Sequence, residues 1–216
     1  LDVKVGSGAF MKNIDEGIKL ASLMVDIGES VGKRTIALIT DMDRPLGKAI
    51  GNSLEVIEAC NTLKGEGPED LTNMCIELAA NMLYLAKFGN LEECRIAAHR
   101  VLNDGSAFEK FKQMVKLQGG DVTVIEDNKK FDVAKVSHEV LSKDDGIINS
   151  MNTEICGIAS MILGAGRETK ESSIDYSAGI VLNKNVGDKI KKGEKIATFY
   201  SSSIEKCLEA EKLLNM

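Results

Sequence analysis

The chain has 216 residues, 44% of them hydrophobic and 28% charged, with a net charge of -6. That is the make-up of a soluble globular protein of one large domain, or of a medium domain and a small one. It excludes nucleic acid and an anionic membrane as partners, since no block of Lys or Arg tracks a phosphate backbone and no apolar run approaches the roughly 20 residues of a membrane span.

In chain order, the apolar strand end Asp2-Val3-Lys4-Val5 runs straight into Gly6-Ser7-Gly8, the layout of a ligand-facing turn in an α/β protein. Asn13 is placed to cap a helix carrying Ile14, Ile18, Ala21 and Val25 at helical spacing, which Gly28 and Gly32 are expected to break. Thr35 to Thr40 is short and apolar, as a strand buried on both faces would be. Strand, helix and buried strand make a βαβ unit, and so a parallel sheet. The polar, glycine-rich stretch Asp41–Gly51 follows at a strand's C-terminal end, where open α/β sheets bind ligands. Helices are expected from a cap at Ser53, from Pro68 and Asp70 to Gly89, over 91–103 and over 105–117. From about 121 the texture changes to short strand-like runs at 122–125, 134–136, 146–148, 178–182 and 196–200, with helices near 152–162 and from Ile204. The fold class is therefore α/β, a mixed sheet with flanking helices over residues 1–120. A C-terminal α+β region over 121–216 follows, with a soft boundary near 120–145 and a barrel-sandwich-like β element near its end.

The local chemistry leaves alternatives open. Gly6-Ser7-Gly8 is either a backbone N–H cradle for an anion or a tight turn whose glycines supply positive φ. Lys4 is either a phosphate partner or a strand-end lysine. Leu46, Ala49 and Glu58 fit the pattern of a turn that aims carbonyls inward, completed by a carboxylate on the next helix. Such an oxygen set suits a hard cation, though Glu58 alone reads as a solvated helix residue. His99 and His138 have no Ser or Cys in a catalytic arrangement and read as structural or surface histidines. Arg167 fits a bound anion or an internal ion pair. The five cysteines lie far apart without a C-x-x-C pair, so they read as buried reduced thiols of a cytoplasmic protein rather than a zinc site. Residues 178–200 have the spacing of a lipoyl- or biotinyl-carrier sandwich, but Tyr200-Ser201-Ser202-Ser203 stands where a carrier's Met-Lys hairpin would be.

Asp2–Met11, the Thr40-Asp41-Met42-Asp43 run through Pro45-Leu46-Gly47, and Asn52–Val56 resemble pyrimidine-nucleoside phosphorylase, as do Gly164–Arg167 and Ile174–Gly179. The closely related thymidine phosphorylases share these stretches. The resemblance implies reversible phosphorolysis, in which phosphate attacks C1′ of a pyrimidine nucleoside to give the free base and a pentose 1-phosphate. It also implies a cytoplasmic homodimer whose two domains close over a cleft. Carried over residue by residue, Phe10 lines the pyrimidine pocket, Leu46 and Ala49 give backbone carbonyls to a bound potassium ion, and Glu58 gives it a carboxylate.

The family's phosphate loop, base-binding Arg and Lys and active-site His are all expected upstream of Leu1, so no catalytic residue is assigned here. The end at Met216 also reads as short, and the chain alone is expected to be inactive. Two rival readings are a non-enzymatic biotinyl- or lipoyl-like carrier or regulatory module, and a phosphoribosyltransferase of related architecture.

Overall fold

The computed structural model describes residues 1–167 and 169–214, so the expectation about Met216 falls outside the described residues. Strand β1, Asp2–Val5, is followed by helix α1, Ile14–Ser30, and strand β2, Leu38–Asp41. β1 and β2 pair in parallel, Val3 opposite Ile39, which is the expected βαβ unit. Asn13 caps α1 by accepting the Glu16 N–H at 3.0 Å. Gly17 and Ala21 are the buried residues of α1, and a Cβ on Gly17 would overlap the Val5 side chain.

Two expectations change here. The helix runs through Gly28 to Ser30, the glycine letting it lie against the Thr35 side chain. The strand begins at Leu38 rather than Thr35, because β1 offers only four partner residues, and Ile39 stays 38% exposed instead of being buried on both faces.

Strand β3, Ala49–Ile50, leads into four helices: α2, Asn52–Leu63; α3, Glu69–Leu85; α4, Leu91–Asn103; and α5, Ser106–Leu117. Ser53 does not cap α2. The cap position is Gly51, whose N–H goes to Glu55, and the Ser53 N–H reaches the Tyr176 carbonyl instead. α3 and α4 approach closely because their buried residues are mostly small: Ala80, Cys94 and Ala98, with Ile76. Asn90 and Glu93 form a reciprocal capping box at the start of α4.

Val122–Ile125 is helical, not a strand. It forms α6, Val122–Glu126, because Asp121 accepts the Thr123 N–H at 2.8 Å and so starts a turn. Local side-chain capping here outweighs the β-preference of two valines and a threonine. A single 3₁₀ turn at Asn128–Lys130 follows.

The remainder comprises β4, Val136–Leu141; β5, Gly146–Ile147; α7, Thr153–Leu163; β6, Gly179–Leu182; β7, Lys189–Ile190; β8, Lys195–Ser201; and α8, Ile204–Leu214. An antiparallel sheet runs β3-β6-β8-β4, with β5-β7 as a separate pair. The barrel-sandwich-like element is thus an open sheet, and no sheet closes on itself among the described residues. The main core lies between this sheet and helices α7 and α8, around Phe199, Leu163, Ile180, Val140 and Cys207. β3 comes from the first part of the chain and joins the sheet of the second, which fixes the Asp41–Gly51 turn against it. Among the described residues, no helix is long and apolar enough to cross a membrane.

Candidate functional site

The Gly6–Lys12 loop leaves the C-terminal end of β1 and is held on several sides. Gly6 has φ +136° and its Cα lies so close to the Met42–Asp43 peptide that a Cβ would come within 2.6 Å of it. No other residue fits that place. The Gly6 N–H donates to the Met11 carbonyl and the Gly8 N–H to the Met42 carbonyl. The Ser7 N–H donates to the Asp43 carboxylate at 2.7 Å. All three amides of Gly6-Ser7-Gly8 are therefore spent inside the fold. Of the two sequence readings, the structure favours the tight turn over a cradle for a free anion. Ser7 Oγ accepts the Thr153 N–H at 3.2 Å, which ties the loop to the start of α7. Lys4 pairs with Asp2 at 2.9 Å.

Phe10 stands at the tip of this loop, 97% exposed. A cleft of about 500 Å³ opens at the base of the loop, walled by Ser7, Asp41, Asp43, Arg44, Met151 and Val186 among others. Phe10 is not one of its walls. The cleft lies beyond the C-terminal ends of β1 and β2, where open α/β sheets take ligands.

The second cluster is built on the turn into β3. Gly47 adopts φ +74°, and a Cβ there would overlap the Glu58 carboxylate. Glu58 reaches back from α2 and accepts the N–H groups of Lys48 at 3.0 Å and Ala49 at 3.2 Å. Asp70, from the first turn of α3, accepts the Gly47 N–H at 3.2 Å. Three successive amides thus bind two carboxylates.

The Leu182 N–H donates to the Lys48 carbonyl and Ala49 is opposite Val181. The two-residue alternation of an antiparallel pair therefore turns both polar groups of Ala49 away from β6, toward the Glu58 side. Burial pushes the Glu58 carboxyl above the usual carboxylate range, and the nearby Asp70 and Glu55 charges push the same way. Among the described residues no Lys or Arg makes an ion pair with Glu58 or Asp70. Glu58 is thus a half-buried carboxylate with a second one nearby and no basic partner, and backbone amides already donate to both of its oxygens.

Other sequence candidates stay apart from these clusters. His99 is exposed on α4, and His138 on β4 meets Glu211 of α8 at 2.7 Å. Arg167 is exposed. Four cysteines are buried, but Cys75 is exposed, against expectation, in the wall of an apolar groove between α2, α3 and α4. Burial pushes the thiols of Cys60, Cys156 and Cys207 up.

Sequence reasoning missed Asp43 and Asp70 as organisers. In the sequence Asp70 reads only as a helix-start residue. The stretches 164–166 and 174–179 act as a brace, since the Asn52 side chain donates to the Ala165 carbonyl at 2.7 Å and Asp175 accepts both the N–H and the hydroxyl of Ser177.

Residues 1–108 match the family model described as glycosyl transferase family, a/b domain, and residues 147–216 match the pyrimidine nucleoside phosphorylase C-terminal domain. The chain belongs to the pyrimidine-nucleoside phosphorylase family of glycosyl transferases. It is 51% identical over 203 residues to the pyrimidine-nucleoside phosphorylase of Geobacillus stearothermophilus. It is 49% identical over 203 residues to that of Staphylococcus aureus strain USA300. Each match covers 94% of this chain and 47% of the relative. The chain thus spans about half the length of these pyrimidine-nucleoside phosphorylases. Both family regions lie on the structure described above: the a/b region holds the Gly6–Lys12 loop and the Glu58 turn, and the C-terminal region holds α7, β6, β8 and α8.

Proposed function

We propose that this chain supplies part of a pyrimidine-nucleoside phosphorylase, a pentosyltransferase acting reversibly on uridine- or thymidine-type nucleosides with phosphate as co-substrate. The observation that carries this reading is the 51% identity over 203 residues to a relative bearing that name. In the forward reaction a phosphate oxygen forms a bond to C1′ as the C1′–N bond breaks, and the electron pair leaves with the base. The sugar gains positive charge on the way. The protein must hold the anion beside C1′, orient the base and exclude water.

Within that scheme this chain provides the frame. Phe10 offers an apolar ring to the pyrimidine, carried by a loop whose amides are already bonded and so cannot swing onto phosphate. The phosphate-binding and proton-handling groups belong to the remainder of the enzyme, and the chain alone is inactive. Leu46 and Ala49, through their carbonyls, and Glu58, through its carboxylate, would hold a potassium ion. The ion would supply positive charge that braces this turn against the rest of the site.

We further propose that residues 1–120 belong to the phosphorylase α/β domain and 121–216 to the C-terminal domain, whose open sheet is the counterpart of a barrel-sandwich. The complete enzyme is proposed to be a cytoplasmic homodimer.

A carrier role is disfavoured because β8 passes directly into α8 and not into a hairpin bearing a modified lysine. The test is product analysis on a chimera in which this chain replaces the matched region of the Geobacillus stearothermophilus protein. Pentose 1-phosphate and free uracil or thymine support the reading. Turnover only with a 5-phosphoribosyl pyrophosphate donor would replace it with a phosphoribosyltransferase.

A further inference from the structure

Phe10 is 97% exposed, so almost nothing packs on its ring and the direction it takes is set by the backbone of the Gly6–Lys12 loop. That backbone is gripped from two sides. One side is the end of β2, where Asp43 and Met42 accept the N–H groups of Ser7 and Gly8. The other side is the first turn of α7, which belongs to the region that matches the C-terminal domain.

Three contacts make the second grip. Ser7 Oγ accepts the Thr153 N–H at 3.2 Å. The first amides of a helix have no partner inside it, so the loop satisfies one that α7 cannot. Gly8 lies so close to α7 that a Cβ there would come within 2.6 Å of the Thr153 methyl group. Lys12, at the far end of the loop, donates from its ammonium to the Ser7 carbonyl at 2.8 Å and pairs with the Glu154 carboxylate at 3.3 Å. One cation thus closes the loop end to end and ties it to the helix, with Phe10 between the two ends. The Lys12 and Glu154 side chains are 55% and 62% exposed. A pair so exposed adds little to stability and is weakened by salt, so its effect falls on where the loop points.

We propose that Lys12 and Glu154 are positioning residues for the pyrimidine nucleoside, a role that rests on the proposed assignment of Phe10 to the base. Through the Ser7 carbonyl they hold the loop at the angle that brings the Phe10 ring to the pyrimidine. The first turn of α7 therefore tunes nucleoside affinity without touching the nucleoside. The chemical step is unaffected: a looser loop binds the base less well and leaves phosphate binding, which uses other groups, as it was.

The test has two arms. In the Geobacillus stearothermophilus chimera, kcat and the KM for uridine and for phosphate are measured with Lys12→Met, Lys12→Arg and Glu154→Gln. Loss of one charge-assisted bond and one exposed pair in Lys12→Met should raise the uridine KM by roughly threefold to fivefold, with a smaller change in kcat. The phosphate KM and the melting temperature should stay nearly unchanged. Lys12→Arg, which keeps the charge and the reach, should restore most of the loss, and Glu154→Gln should show a smaller rise. At saturating phosphate, added salt should move the unsubstituted chimera toward the Lys12→Met value; uridine is uncharged, so the trend does not come from the substrate. The second arm needs no activity. The chain has no Trp, so Phe10→Trp puts a single fluorophore at the loop tip. Its anisotropy in the 216-residue chain should fall when Lys12→Met or Glu154→Gln is added. An active chimera whose uridine KM ignores Lys12→Met, an equal rise in Lys12→Arg, or an unchanged anisotropy would overturn the proposal. A folded chimera without phosphorolysis would remove the phosphorylase reading, and a fall in anisotropy would then still support the Lys12 clamp by itself.

Discussion

The carboxylate of Asp43 lies 2.7 Å from the backbone N–H of Ser7, so the glycine-serine loop already holds an anion from its own fold. That pairing joins the ends of β1 and β2 and fixes where Phe10 emerges. It also divides the labour: the loop sets shape, and a free phosphate must find its donors elsewhere. Asp43→Ala removes the acceptor and leaves an amide dependent on water. The expected cost is about 1 kcal/mol of stability, with faster hydrogen exchange at Ser7 and Gly8, measured by urea unfolding and exchange on the same sample. Unchanged exchange at Ser7 would show that the loop is held by other means.

Glu58 gives a prediction with a sign. Its carboxyl is raised above the usual range, chiefly by burial, so the folded state binds its proton more tightly than the unfolded state does. The associated stability is present at acid pH and is lost as pH rises from the ordinary glutamate range through the raised value. A potassium ion at the Leu46–Ala49 turn would bind the ionised form and reverse that loss. The melting temperature at neutral pH should therefore rise when potassium replaces a bulky organic cation at equal ionic strength. The rise should vanish at acid pH and in Glu58→Gln. A rise of equal size in the variant would place the effect elsewhere.

Lys87 follows α3 with φ +62°, a left-handed conformation that costs a side-chain-bearing residue about 1 kcal/mol. Lys87 is exposed, so no packing is at stake. Lys87→Gly should stabilise the chain by up to about 0.5 kcal/mol once the added freedom of the unfolded chain is offset. Thermal unfolding at matched protein concentration checks it.

The architecture at the end of the chain bears on the carrier rival. Ser201 closes β8, donates its hydroxyl to the Leu163 carbonyl at 2.6 Å and is fully buried. A segment pinned in this way is not a flexible tip for a swinging cofactor. Intact-mass measurement on protein expressed with biotin and lipoate should show the unmodified chain, and an adduct would revive the carrier reading.

Much of this was legible in the residues because the signals were local. The Asn13 cap, the parallel pairing around α1, the bounds of α4 and the strands at 179–182 and 195–201 follow from caps, glycines and alternation. The misreadings share one cause, a choice settled by something distant or by one side chain. Val122–Glu126 became a helix through Asp121. Ser53 falls inside α2, whose cap position is Gly51, and its amide donates to the Tyr176 carbonyl, far along the chain. The Glu58 cluster was visible only in part. Spacing suggests a carboxylate near the turn, but only the folded chain brings Asp70 onto Gly47, across 23 residues.

The proposed role of this chain, framing a pyrimidine-nucleoside phosphorylase without supplying its phosphate-binding groups, has a direct test. The most direct measurement is the phosphate-dependent release of uracil or thymine from uridine or thymidine. It should be made in parallel on the isolated 216-residue chain and on the folded Geobacillus stearothermophilus chimera. Release by the chimera, dependent on added phosphate, is expected, with none by the chain alone. A folded chimera that releases no base, or a chain that releases it unaided, would contradict that role.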